Sequence, residues 1–291
     1  MAGESNGSGV EIACRTLDGQ GMSLPAAALE QLRSGVRGGV LTAGEPGYDG
    51  ACRIWNAMID HRPAVIARCL SSRDVRVAVG FAREHGMLLS VRGGGHHIAG
   101  NAIADGGLTI DLSSMGDVHF DADQRTARVG GGALLGDVDH ETQSFGLATP
   151  LGINSTTGFG GLCLGGGFGW LTRKYGMTID NLIAADVVTA DGELHVVSSS
   201  REPDLFWAIR GGRILTRPFS KRSIRCSRRA LATTGSRATP TSCTTTRWRS
   251  SSMRRAPFPG SSVRCSWRSS AARWVVWRAT RPPTPVATPT T

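Results

Sequence analysis

The sequence predicts an α+β domain over residues 55–212, with a lead-in of residues 1–54 before it and a tail of residues 213–291 after it. Three observations carry this reading. Short apolar runs alternate with glycine-marked turns and a few helical stripes, the pattern of small strands interleaved with helices. Two glycine clusters, 93–95 and 158–169, interrupt those runs about seventy residues apart. The composition then changes abruptly near Gly212.

The elements follow in chain order. Pro63 to Ile66 is a short apolar strand. Ser72 to His85 carries Val75, Val77, Ala78, Phe81 and Ala82 as one helical stripe, with Ser71 or Ser72 as N-cap and Gly86 placed to end it. Met87 to Val91 is an apolar strand that enters the first glycine cluster. Leu108 to Leu112 and Thr126 to Val129 read as strands, and Leu134 to Ser144 as a helix. Asp186 to Ala190 and Leu194 to Ser198 form a hairpin about the tight-turn dipeptide Asp191-Gly192. Asp204 to Arg210 is a short helix bearing Trp207.

The chemistry concentrates in Ser90-Val91-Arg92-Gly93-Gly94-Gly95-His96-His97. Consecutive glycines let the backbone press against a ligand, and successive N–H groups in such a turn make a concave anion nest. Arg92 adds a charge-assisted donor, and the two imidazoles add reactive nitrogen. The second cluster runs from Gly158 through Gly165-Gly166-Gly167-Phe168-Gly169-Trp170 and on to Arg173-Lys174-Tyr175-Gly176. Two backbone-exposing loops of this kind suit one extended, phosphate-bearing ligand gripped at two points. The bland alternative is a pair of flexible turns with surface histidines.

In these residues the chain resembles the FAD-linked oxidases of the berberine-bridge-enzyme and 6-hydroxynicotine-oxidase type. Their PCMH-type FAD-binding domain consists of two small α/β subdomains in the vanillyl-alcohol-oxidase fold. The matching motifs are Arg92 to Asn101, Asp105 to Ser113, Gly165 to Gly176, Asp180-Asn181 and Asp204 to Ala208, in that order over roughly residues 55–212. The resemblance implies FAD joined covalently to His96, with His97 in a variable slot. It implies that Arg92, Gly93, Gly94 and Gly95 hold the diphosphate, with Asn101 in the same motif. Gly160, Gly161, Gly165 and Gly166 would approach the other side of the cofactor, and Val187 would lie near its adenine end. Some members carry a second, cysteinyl link eleven residues before the triple glycine. That position is Asn154 here, so a singly linked flavin is expected, and Cys163 is read as a small buried residue.

Rival chemistries are weaker. Gly130-Gly131-Gly132 with Gly136 is a loose variant of the dinucleotide fingerprint, without a full βαβ unit or a following acidic residue. His61, His85, His119, His140 and His195 are scattered, and no metal site is expected. No Gly-x-Ser-x-Gly elbow supports nucleophilic hydrolysis, and Asp180-Asn181 reads as a structural turn. The seven cysteines show no paired spacing, the N-terminal residues lack an apolar h-region, and no run of about eighteen apolar residues exists to span a membrane. A cytoplasmic protein that does not engage membranes is the expectation.

From Arg213 to Thr291 there is no Asp, Glu, Asn, Gln, His or Tyr, against sixteen Arg and the single Lys221. Residues 1–212 hold 16 basic and 23 acidic side chains, a net charge of −7, so the tail carries the whole basic excess. Arginines interspersed with Trp248, Trp267, Trp274 and Trp277 could bind nucleic acid, or form a charged disordered extension. Neither explains the missing residue types. Together with Lys these are the amino acids whose codons have adenine in the middle position. A reading-frame slip near codon 212 of a GC-rich gene produces that bias directly.

The resemblance implies that a C-terminal half should supply the substrate pocket, the catalytic base and a final segment returning to the flavin domain. None is recognisable in the tail, whose periodicity supports no strand or helix, so the substrate domain is expected to be missing. Two outcomes are expected. Intact relatives would transfer a hydride from a small-molecule substrate to FAD and on to O2. This chain would be either such an oxidase or an inactive remnant of its flavin domain, with a basic nucleic-acid binder as the less favoured alternative.

Overall fold

The computed structural model describes residues 11–210 and one further strand, 274–278. The other expectations for residues 213–291 lie outside the described residues. The first half of the chain runs β1 (Ile12–Arg15), β2 (Gly21–Leu24), α1 (Ala26–Gly35), β3 (Val40–Leu41), α2 (Tyr48–Cys52), β4 (Val65–Arg68), α3 (Ser72–Glu84), β5 (Leu89–Arg92) and β6 (Leu108–Asp111). The second half follows with β7 (Val118–Asp121), β8 (Thr126–Gly130), α4 (Leu135–Gln143), α5 (Phe159–Leu164), α6 (Thr172–Tyr175), β9 (Leu182–Val188), β10 (Leu194–Ser198), α7 (Pro203–Ile209) and β11 (Trp274–Arg278).

Apart from the antiparallel pair β1-β2, two sheets divide these elements into two α/β subdomains. The first has strand order β3-β4-β6-β5, with β4, β6 and β5 parallel and β3 antiparallel on the edge. β6 is buried at every position and β4 at all but its last, as a parallel sheet covered on both faces requires. α3 packs here through Ala78, Val79, Phe81 and Ala82. Its start is fixed by Ser71, whose Oγ accepts the Asp74 N–H at 3.3 Å, and its end by Gly86 at φ +61°. Residues 12–52, read from the sequence as a lead-in, contribute Cys14, Leu24, Leu29, Leu32 and Val36 to this same core.

The second sheet is wholly antiparallel in the order β10-β9-β11-β8-β7. Its core gathers Val129, Leu135, Val138, Phe159, Cys163 and Val197. Both hydrogen-bonded neighbours of β8, β7 and β11, are antiparallel to it, so Gly130–Gly136 does not follow a strand of a parallel sheet as the dinucleotide fold requires. Those glycines serve packing instead: a Cβ on Gly132 would overlap the carbonyl of Leu112. One tail segment departs from expectation. β11 inserts between β8 and β9, pairing Trp274 with Gly130 and Val276 with both Arg128 and Ala184. Strand addition is made through the main chain, and Trp-Val-Val-Trp is a β-prone run that the tail's composition obscures. Among the described residues, no helix is long and apolar enough to cross a membrane.

Candidate functional site

The site begins where β5 ends. Arg92 sits opposite Asp111 in the parallel register of β5 and β6, so the loop 93–97 leaves from the carboxyl end of the sheet. Within it only Gly95 adopts positive φ, +68°, and its carbonyl accepts the Trp55 N–H at 3.1 Å. Among the described residues, no acceptor receives the N–H groups of Gly93, Gly94, Gly95, His96 or His97. Five successive amides without an acceptor among the described residues are donors that a diphosphate can take up.

The two glycine clusters meet through their backbones. A Cβ on Gly94 would stand 2.5 Å from Gly158 Cα and closer still to its nitrogen, and one on Gly158 would meet Gly94 in return. Gly93 and Gly160 both face the carbonyl of Gly131, at 3.0 and 3.2 Å from their would-be Cβ atoms. The segment 155–159 runs alongside 133–136, tied by Leu135 N–H to Thr157 O, Gly136 N–H to Ser155 O and Phe159 N–H to Ala133 O, each 2.8–2.9 Å. The expected residues therefore divide. Gly93, Gly94 and Gly160 are brought together with Gly131 and Gly158, while Gly95 faces Ile54. Gly161 opens onto free space, with nothing within 4 Å of its would-be Cβ.

The remaining expected residues sit further from that junction. Gly165 caps α5 and packs on the Gly161 carbonyl, while Gly166, at φ +106°, faces Met177. Asn101 ends a turn, its N–H donating to His97 Nδ1 at 3.4 Å. Val187 lies on β9 opposite His195, half-buried against the second core.

The charge of Arg92 is already committed. Its guanidinium donates to the Ala51 carbonyl at 2.6 Å and lies 4.0 Å from Asp111, so it pins the loop to α2 and β6. Its buried Nε has no partner among the described residues. The loop's amides, rather than this side chain, are what the nest offers an anion.

The two histidines differ sharply. His97 is exposed and its ring closes the local turn with Asn101. His96 is half-buried, stacks on Trp55 with centroids 5.4 Å apart, and places Nε2 3.0 Å from Thr156 Oγ1. Burial lowers its basicity, favouring the neutral imidazole. Trp55 and Thr156 escaped the sequence reading, because a lone aromatic and a loop threonine carry no motif of their own. Cys163 is fully buried, and burial pushes its thiol up to about 12. Asp180 caps its own turn by accepting the Met177 N–H at 2.9 Å, while Asn181 donates to the carbonyls of Tyr175 and Met177. Among the described residues no cluster of metal-ligating side chains occurs.

Comparison with known proteins decides which ligand this architecture serves. A family model described as an FAD binding domain matches residues 63–198. The chain is 43% identical over 176 residues to (R)-6-hydroxynicotine oxidase of Paenarthrobacter nicotinovorans, covering 60% of this chain and 38% of that protein. Residues 63–198 thus match an FAD binding domain of the kind that FAD-linked oxidoreductases carry. Glucooligosaccharide oxidase of Sarocladium strictum is 38% identical over 169 residues, 57% of this chain and 34% of that protein. Among solved structures, 6-hydroxy-D-nicotine oxidase of Arthrobacter nicotinovorans superposes with a TM-score of 0.59 at 43% identity, over 60% of this chain and 39% of that one. The BBE-like 1 protein of Physcomitrella patens gives 0.60 at 28% identity, over 63% and 40%. The chain thus spans about two fifths of the length of the relatives it matches. The unfilled amides at 93–97 and the open approach at Gly161 fit an FAD diphosphate.

Proposed function

We propose that this FAD binding domain holds its flavin through a single covalent bond to His96, and that the whole protein is an oxidase of a small molecule. The observation that carries the reading is the run of five amide donors, without an acceptor among the described residues, beside a half-buried imidazole whose basicity burial lowers. Gly93, Gly94 and Gly95 donate backbone N–H groups to the diphosphate, and Arg92 holds their loop rigid from behind. Asn101 closes the turn that turns His97 away. Gly160 and Gly161 admit the cofactor on its second side, Gly165 and Gly166 shape the loop behind them, and Val187 lies toward the adenine end. Asn154 offers no thiolate, so a second link is not made. Bound FAD supplies the two-electron oxidant that takes a hydride from substrate and returns the electrons to O2.

The test is expression of the full chain with FAD, followed by acid precipitation and mass analysis of flavin-bearing peptides. Yellow protein that keeps its flavin in acid and loses it in His96→Ala is the expected result. Flavin released entirely by acid from the wild-type chain refutes the covalent link.

A second observation favours a companion reading of the tail. The composition break near Gly212 supports translation out of frame beyond it, leaving an inactive flavin-domain remnant in place of the oxidase. Shifting the gene by one base near codon 212 should restore a sequence with normal acidic content that resembles the relatives' C-terminal halves. Failure to restore it rejects the frameshift. Salt-sensitive DNA binding by the expressed chain would favour the basic-tail reading instead.

A further inference from the structure

The contacts around His96 specify more than its position. Asn154 Oδ1 accepts the Thr156 backbone N–H at 3.1 Å, which fixes that atom as oxygen, since an amide NH2 there would face another donor. The same oxygen lies 2.9 Å from Thr156 Oγ1. A carbonyl oxygen donates nothing, so the threonine's one hydroxyl proton points at Asn154. Thr156 Oγ1 then has only lone pairs left for His96 Nε2, 3.0 Å away. Nε2 must be the donor. In neutral His96 the proton therefore sits on Nε2 and Nδ1 is bare.

We propose that Asn154 and Thr156 are positioning residues that hold His96 as its Nε2–H tautomer and so present Nδ1 as the nucleophile for flavin attachment. This rests on the covalent reading of His96 above. In the attachment Nδ1 forms the bond to the flavin 8α carbon, one 8α C–H proton and the Nε2 proton leave to water, and two electrons pass to O2. The overall change is loss of two hydrogens and formation of H2O2, with the flavin oxidised at start and finish. Trp55 holds the ring plane by stacking and donates no hydrogen bond to it, so the tautomer is set from the Asn154 side alone. Asn154 thereby gains a role in place of a second link: its amide orients the histidine.

The test compares the wild-type chain with Thr156→Val, which keeps the shape and removes the hydroxyl, and Thr156→Ser, which restores it. In 15N-histidine NMR of the flavin-free protein at neutral pH, His96 should show Nε2 protonated and Nδ1 unprotonated. Thr156→Val should lose that preference and Thr156→Ser should keep it. On addition of FAD, Thr156→Val should bind flavin but acquire the acid-stable link about tenfold more slowly, the scale of one lost hydrogen bond. The serine variant should regain the rate. A wild-type His96 carrying its proton on Nδ1 overturns the proposal, as does a Thr156→Val chain with unchanged tautomer and unchanged attachment rate. If wild-type protein acquires no acid-stable flavin, the covalent reading fails, and the NMR tautomer still decides whether Asn154 and Thr156 orient the ring.

Discussion

Substituting Gly94 by alanine tests whether the two glycine clusters exist for each other or only for the cofactor. The new Cβ would stand 2.5 Å from Gly158 Cα and 3.1 Å from Leu134 Cδ2. Ordinary carbon contacts lie at about 3.5–4.0 Å, so the loops must part by about 1 Å. Gly158 is backbone at that point and cannot swing aside as a side-chain tip would. The cost therefore belongs at the upper part of the roughly 1–3 kcal/mol range for overpacking, which lowers Tm by about 2–4 °C per kcal/mol in a domain of this size. Gly161→Ala is the control: its Cβ meets nothing within 4 Å, and it lies inside α5, so flavin-free stability should be unchanged or raised by about 0.5–1 kcal/mol. Thermal unfolding of both variants without flavin, followed by FAD titration, separates the two roles. Gly94→Ala should lose stability before any flavin is added, whereas Gly161→Ala should lose only FAD affinity. A Gly94→Ala chain as stable as wild type would refute the backbone-contact argument. The double variant Gly94→Ala with Gly158→Ala should cost less than the sum of the singles, because one parting of the loops relieves both overlaps.

Other expectations follow from the same geometry. Phe159→Ala removes a fully buried ring from beneath the Gly158 junction and should cost about 3–5 kcal/mol in denaturant unfolding. Asp74 is buried, which would raise its carboxyl, but hydrogen bonds from the Leu70 N–H, Ser71 and Arg37 outweigh burial and hold it below the ordinary value. Its contribution to stability should be complete above about pH 4 and fade as pH falls through the lowered folded-state value, so Asp74→Asn should flatten the acid limb of a stability-against-pH curve. Cys69 and Cys163, both buried with thiols pushed up to about 12, should resist iodoacetamide in the native protein and react on unfolding, as peptide mapping would reveal.

What the sequence disclosed depended on whether the signal was local. α3 was legible end to end, because Ser71, the apolar stripe and Gly86 all lie within its own span. β6, β8, β10 and α4 were legible for the same reason. β9 begins at Leu182, four residues before the predicted start, because Leu182–Ala185 are all apolar and buried or half-buried, leaving no alternation to mark the strand's edge. The short strands and helices before residue 55 gave no periodic signal, although they complete the first core. The loop 93–97 and the distinction of His96 from His97 were visible in sequence, the latter through family pattern rather than chemistry. Trp55 and Thr156 were not visible, since their roles come from backbone pairing that brings residues 55, 96 and 156 into one place. Arg92 reads in sequence as a charged donor beside an anion nest, whereas its guanidinium donates to the Ala51 carbonyl and lies 4.0 Å from Asp111, contacts made by residues 41 and 19 positions away that no local pattern announces.

The position of β11 bears on how the molecule is made. Every ladder bond on the inner edges of β8 and β9 waits for a strand synthesised some eighty residues after β10. While the ribosome is still reading that interval, the first subdomain has all its strands, and the second is a split sheet with two open inner edges. Such edges invite pairing with other chains until they are closed. Because the closing contacts are main-chain contacts, timing and tether length govern their capture more than the identity of the arriving side chains. Production at low temperature, or at low chain density, should therefore favour the closed sheet over aggregates formed through β8 and β9.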